Sequence, residues 1–125
     1  MRKFVFYWLP LVLYLLLIFY LSSIPGLKPL TTEIVFIDKW EHMLEYFILS
    51  ILIFRLAKKY KVKKRYLIAL SFAGLYGILD EVHQYFVVNR ICDLGDIVAN
   101  YIGCCFILFG KLFKNSSNPS NSCRG

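Results

Sequence analysis

A chain of 125 residues that is 58% hydrophobic and 18% charged is too apolar for an ordinary soluble domain, which sits nearer about 45–50% apolar. Its net charge of +7 does not indicate nucleic acid, because no zinc-finger, helix-turn-helix or RNA-binding signature accompanies it and the basic residues lie between apolar runs, where a topology signal belongs. Four Cys without a C-x-x-C pair argue against a zinc or redox motif, and Cys104 and Cys105 read as small packing residues.

The first apolar run, FVFYWLPLVLYLLLIFYL, predicts a helix over about 4–21. It exceeds the roughly 7–15 residues of a signal-peptide core and reads as a membrane helix. Pro10 falls in its first turns, where a missing N–H costs least. SSIPGLKPLTTE (22–33) is a turn-rich connection. A second helix is expected over about 40–57, around MLEYFILSILIF, followed by the basic linker RLAKKYKVKKRY (55–66). A third runs over 66–87 from YLIALSFAGLYGIL, and the connection VVNRICDLGD (87–96) leads to a fourth over 94–113. NSSNPSNSCRG (115–125) has the composition of a disordered tail. At 1.5 Å per residue, segments of about 20 residues match a bilayer core. The expected fold is therefore all-α: an integral membrane protein forming a four-transmembrane-helix bundle, one domain over 1–114.

Lys and Arg set the orientation. All of them except Lys28, Lys39 and Arg90 fall at the N-terminus, in the central linker or near the C-terminus. The positive-inside rule then places both termini in the cytoplasm, with the linker against anionic lipid heads. The acids Glu33, Asp38, Glu41, Glu45, Asp80, Glu81, Asp93 and Asp96 all fall at the opposite, outer ends of the helices. Acids contribute little to topology, so this segregation needs its own explanation. Tyr and Trp near the segment ends read as interfacial anchors.

Helical spacing groups these polar residues. Asp38, His42 and Glu45 line one stripe with Tyr46 beside it; Asp80 and Gln84 are four apart; Asp93, Asp96 and Asn100 are three and four apart. Three helices thus carry polar stripes ending at one face, with Arg90 in the connection between two of them. An ionised group in a bilayer is costly and defaults to a functional hypothesis. The stripes are expected to turn inward around a pocket formed by helices two to four, with Gly74, Gly77 and Gly103 permitting close approach. Interhelical glue would account for Asn100, Gln84 and Asp96, but it explains a surplus of acids poorly. His83 points to a different face from Asp80 and Gln84 and reads as an interfacial residue. Asp38, His42, Glu45, Asp80 and Glu81 offer oxygen and nitrogen to a metal, yet no spacing here is a recognised metal motif, so cofactor use stays open.

The stretches SSIPG (22–26), DKWEHMLEYFIL (38–49), GLYGILDEVHQYFVVNR (74–90) and DLGDIVANYIG (93–103) together resemble the VanZ-like membrane proteins. The combination of D-K-x-x-H, D-E-x-x-Q, a following Arg and D-x-x-x-N-x-x-G in that order is specific, where one motif alone is weak. On this resemblance Asp38, Lys39, His42, Tyr46, Asp80, Glu81, Gln84, Arg90, Asp96, Asn100 and Gly103 are the family-type positions. The family often has Pro-Gly before the Arg, where this chain has Val88-Asn89; Asn tolerates the left-handed backbone that Gly would supply, so the turn is expected to survive. The resemblance implies a bacterial plasma-membrane location and a cell-envelope role, the family's namesake being linked to low-level teicoplanin resistance. It names no reaction.

The expected partners are the lipid bilayer and a lipid-linked envelope precursor or a glycopeptide, with no nucleic acid. In a catalytic reading Asp38, His42, Asp80 and Glu81 do acid–base work, His42 suiting it by its ordinary pKa near 6.5. Glu45, Gln84, Arg90, Asp93, Asp96 and Asn100 then contact substrate. A pocket that binds a ligand or partner helix without chemistry is the alternative.

Overall fold

The computed structural model describes residues 1–25, 37–89 and 92–116. Among them the chain is entirely helical: α1 Arg2–Ser23, α2 Ile37–Lys59, α3 Arg65–Tyr85 and α4 Leu94–Ser116. Each has 21 to 23 residues. Arg90, Lys28, Glu33 and the 117–125 tail lie outside the described residues.

The helices differ from the sequence expectation mainly at their ends. The second starts at Ile37, so Asp38 falls in its first turn, where a carboxylate faces the exposed N–H groups. The first begins at Arg2, which puts Pro10 inside the helix rather than in its opening turns. The third ends at Tyr85, two residues early, in a turn that carries Asn89 at φ 61°. The Val88-Asn89 turn therefore takes the left-handed backbone expected of Asn there.

Two of the four helices, over Phe4–Ser23 and Leu94–Phe113, are long and apolar enough to cross a membrane. Four such spans were expected from the apolar runs. α2 and α3 fall short for a chemical reason. Asp38, Lys39, Glu41 and Glu45 load one end of α2, Arg55, Lys58 and Lys59 load its other end, and Asp80 and Glu81 interrupt α3. The residues that make the two inner helices less apolar are those of the polar cluster and the basic end.

Packing centres on α2, which touches the other three helices. α1 lies against α2 and α3, and α4 against α2 and α3. Tyr46, Leu49, Ile18 and Cys104 are fully buried. Around them the interior is made of small side chains, Ala69, Ala73, Ala99 and Ser50 among them. Small residues let helix backbones approach where no hydrophobic force separates core from lipid. The closest approach is at Gly103, where an added Cβ would lie 2.2 Å from the Met43 carbonyl oxygen. Gly77 is tight as well, with Tyr46 and Asn100 at 3.1 and 3.2 Å from such a Cβ. Two tyrosines tie α1 down: Tyr14 donates to the Glu45 carbonyl at 3.1 Å and Tyr76 to the Leu15 carbonyl at 2.9 Å. The outward side of α1 is apolar and exposed, including Phe4, Leu9, Leu13, Leu16 and Phe19.

Opposite charges occupy opposite ends. At one end Arg55 stacks over Phe6 and Tyr7, Lys59 over Tyr7, and Lys111 over Tyr66. α2 finishes there in a Schellman cap: Val62 N–H bonds the Ala57 carbonyl and Lys61 N–H the Lys58 carbonyl. Lys61 takes the left-handed position at φ 56°. A side chain there costs about 1 kcal/mol that Gly avoids. Lys61→Gly is expected to raise stability by about 0.5–1 kcal/mol, read by thermal unfolding in detergent.

Candidate functional site

The other end gathers the polar residues. It is built by the C-termini of α1 and α3 and the N-termini of α2 and α4. Because the helices alternate in direction, residues far apart in sequence meet there.

Lys39 is the hub. Its ammonium reaches Asp93 at 2.6 Å and Asp38 at 3.4 Å, and it donates a short hydrogen bond to Asp96. Asp93 also caps α4, its Oδ1 accepting the Gly95 N–H at 2.9 Å. The Lys39 ammonium, then the Gly95 N–H, hold the Asp93 carboxyl below the usual carboxylate range. Its folded value thus lies below its unfolded one, so its contribution is complete above the unfolded value and is lost as pH falls through the folded one. The sequence reading counted Lys39 only as an outer-face charge and a family-type position. Its spacing to Asp93 and Asp96 crosses two helices, so no local periodicity could reveal the contact.

Asp96 turns its second oxygen toward His42, 3.9 Å from Nε2. Glu81 joins them: one ligand atom from each of His42, Glu81 and Asp96 lies within 4.8 Å of the others. Glu81 is fully buried, and neither of its oxygens has a hydrogen-bond partner among the described residues. The same holds for the amide of Asn100, one turn below Asp96 on α4. A buried polar group without a partner costs about 1–3 kcal/mol, more if charged. Glu81 and Asn100 therefore each call for an explanation.

A cleft of about 340 Å³ opens on the other side of His42. One wall is apolar and comes from α1: Leu17, Ile18 and Leu21, with Ser22 at the top and Tyr14 below. The facing wall is mixed: Glu41, His42, Leu44, Glu45 and Ile48 from α2, and Asp80 and Gln84 from α3. Gln84 donates to Asp80 at 3.2 Å, the four-residue contact that its spacing predicts. This corrects the expected pocket of helices two to four. The cleft lies between α1, α2 and α3, while the α4 acids Asp93 and Asp96 are engaged with Lys39. α1 went unnoticed because its contribution is apolar, and an apolar wall looks like any other membrane helix in sequence.

The predicted residues therefore separate into groups. His42, Glu45, Asp80 and Gln84 line the cleft. Glu81, Asp96 and Asn100 lie buried near α4, with His42 between the two sets. Asp38 and Asp93 are at the rim, each paired with Lys39. Arg90 is outside the described residues. His83 stands apart from the cleft: its Nε2 is 2.9 Å from the Ser23 hydroxyl and its ring packs on Phe19. That contact joins α3 to the end of α1. Ser23→Ala is expected to cost less than about 1 kcal/mol, because the bond is only partly buried; detergent unfolding would read it.

Residues 4–114 match the family model described as VanZ/LLP1. No curated protein and no solved structure matches the chain.

Proposed function

The chain belongs to the VanZ/LLP1 family, and from that premise we propose that it is a multi-pass protein of the bacterial plasma membrane whose outward-facing cleft binds a lipid-linked envelope precursor and so alters glycopeptide susceptibility. In this reading all four helices cross the bilayer. Helices of 21 to 23 residues span about 32–35 Å, enough for a hydrocarbon core of about 30 Å. Both termini are cytoplasmic, since the basic end carries Arg55, Lys58, Lys59, Lys61, Lys63, Lys64 and Arg65.

The observation that carries the proposal is the unlike pair of cleft walls. Leu17, Ile18 and Leu21 of α1, with Leu44 and Ile48 of α2, offer an acyl or isoprenoid chain an apolar surface, and only the α2–α3 side adds the carboxylates and amide of Glu41, Glu45, Asp80 and Gln84. An amphipathic ligand lying along the bilayer normal meets both walls at once. Ligand sites combine such an apolar lining with a few convergent polar groups.

Topology is the first test. Cys92 is exposed in the connection before α4. In a variant keeping it as the sole cysteine, an impermeant thiol reagent is expected to label intact cells, whereas a sole cysteine at Lys63 stays unlabelled until the cells are opened. Labelling at Lys63 alone would turn the cleft to the cytoplasm and remove the proposal. The second test is teicoplanin susceptibility. Cells producing the protein are expected to tolerate more of the drug, and Asp80→Asn or Glu45→Gln, at matched abundance, should abolish the gain. Variants as effective as the parent would show that the cleft does not carry the phenotype.

A further inference from the structure

The cleft is lined on one side by the carboxyl side chains Glu41, Glu45 and Asp80. Behind that wall are His42, Glu81 and Asp96, contributed by three different helices, with one ligand atom of each within 4.8 Å of the others. We infer that these three residues form a binding site for one divalent first-row transition ion of the manganese or zinc class. The inference deepens the reading of the cleft and rests on it, because such an ion would place positive charge beside His42, which lines the cleft.

Four observations carry it. First, Glu81 is fully buried, yet its two oxygens make no hydrogen bond of ordinary geometry among the described residues, with only the Asp93 N–H and the Cys92 thiol turned toward it. One of its oxygens lies within 4.8 Å of donor atoms of His42 and Asp96. Second, Asp96 is divided in function. One oxygen takes the Lys39 ammonium, and the other is left toward His42 at 3.9 Å. A carboxylate fixed through one oxygen and presented through the other is how outer partners orient a metal ligand. Third, His42 Nδ1 is also buried without a partner, so either ring nitrogen is available. Fourth, the amide of Asn100, one turn below Asp96 on α4, is also fully buried without a hydrogen-bond partner among the described residues.

The geometry requires a closure. Ligands of one tetrahedral ion at about 2.0–2.2 Å lie about 3.3–3.6 Å apart, so donors that now lie within 4.8 Å of one another draw in by up to about 1.5 Å. The donor set also selects the ion. One imidazole and two carboxylates suit zinc, manganese or iron, whereas magnesium and calcium prefer oxygen alone. Among the described residues no Cys is one of the three donors, although the Cys92 thiol faces Glu81.

The test uses the full chain, purified in detergent without a histidine tag, stripped with a chelator and titrated with Mn2+ or Zn2+. No envelope ligand is added, so failure here is separate from failure of the cleft reading. The wild type is expected to take up one ion per chain. Its unfolding midpoint should rise by about 4 °C or more at a hundredfold excess over Kd. Mg2+ and Ca2+ should bind at least about tenfold more weakly. Bound Mn2+ should show nitrogen hyperfine coupling from the imidazole. Glu81→Gln removes a carboxylate that faces Asp80 and Asp96 from a buried position, so in chelator it should be as stable as the wild type or more so. It should nonetheless lose more than about 100-fold in ion affinity. A structural glutamate, neutral and uninvolved with metal, predicts no ion-dependent shift in the wild type at all. The inference is overturned if folded, stripped wild type takes up no ion, if the bound ion shows no nitrogen coupling, or if Glu81→Gln binds as the wild type does. Should Glu81→Gln fail to accumulate, uptake and nitrogen coupling in the wild type decide alone.

Discussion

Gly103→Ala is expected to lower stability by about 3 kcal/mol or more, at the upper end of what overpacking costs. The new methyl would sit 2.2 Å from the Met43 carbonyl oxygen and 2.9 Å from its carbonyl carbon and Cα. These are backbone atoms and cannot rotate away. The helices would have to separate, and everything along the α2–α4 seam would move with them. That seam includes Tyr46, whose carbonyl accepts the Cys104 thiol at 3.8 Å, and the Lys39–Asp96 contact nearer the end. Gly110 is the control. It lies on the same helix with nothing within 4 Å of an added Cβ. Gly110→Ala should change stability by no more than about 1 kcal/mol, and in the favourable direction. Comparing the two variants by abundance in membranes and by unfolding in detergent isolates the close approach. A Gly103→Ala protein as stable as Gly110→Ala would mean that the helices do not meet at Met43.

Lys39→Met is expected to cost about 2–4 kcal/mol, less than a fully buried pair because Lys39 is partly exposed. The substitution leaves Asp38, Asp93 and Asp96 facing one another with Glu81 behind them. Methionine keeps most of the packing volume, so the loss reports on charge. Adding Asp96→Asn should restore at least half of it, since the less exposed of the uncompensated carboxylates is then gone. The cycle is best run in chelator, so that an ion at His42, Glu81 and Asp96 does not substitute for the lysine. Additive losses in the double variant would show that Lys39 and Asp96 do not interact.

Much of this arrangement can be read from the chain without coordinates. The four apolar runs give the four helices, and the separation of bases from acids gives the two unlike ends. Gly103 and Gly77 stand out as small residues beside polar stripes, and both are points of close approach. Other features resist such reading for physical reasons. Asp80 and Glu81 are adjacent, so sequence assigns them to different faces of one helix. Because α3 is covered by α2, α1 and α4, both faces are interior, Asp80 at the cleft and Glu81 toward α4. Lys39 looks like a solvated charge until α4 supplies Asp93 and Asp96. The apolar wall of α1 gives no sign of which polar residues it faces.

The Lys39 contacts also have a consequence for the order of events during synthesis. Its partners Asp93 and Asp96 come 54 and 57 residues later in the chain. At about 5–20 residues per second, a ribosome needs roughly 3–11 s to make the nearer one. During that interval the rest of α2 and then α3 are made while the lysine is without its two aspartates, and Glu81, once made, is without α4 beside it. The last helix to emerge therefore completes the whole polar end in one step. A chain stopped before residue 93 is left with an unmatched lysine and an uncovered glutamate, which makes incomplete copies chemically distinct from finished ones to the quality-control proteases of the membrane.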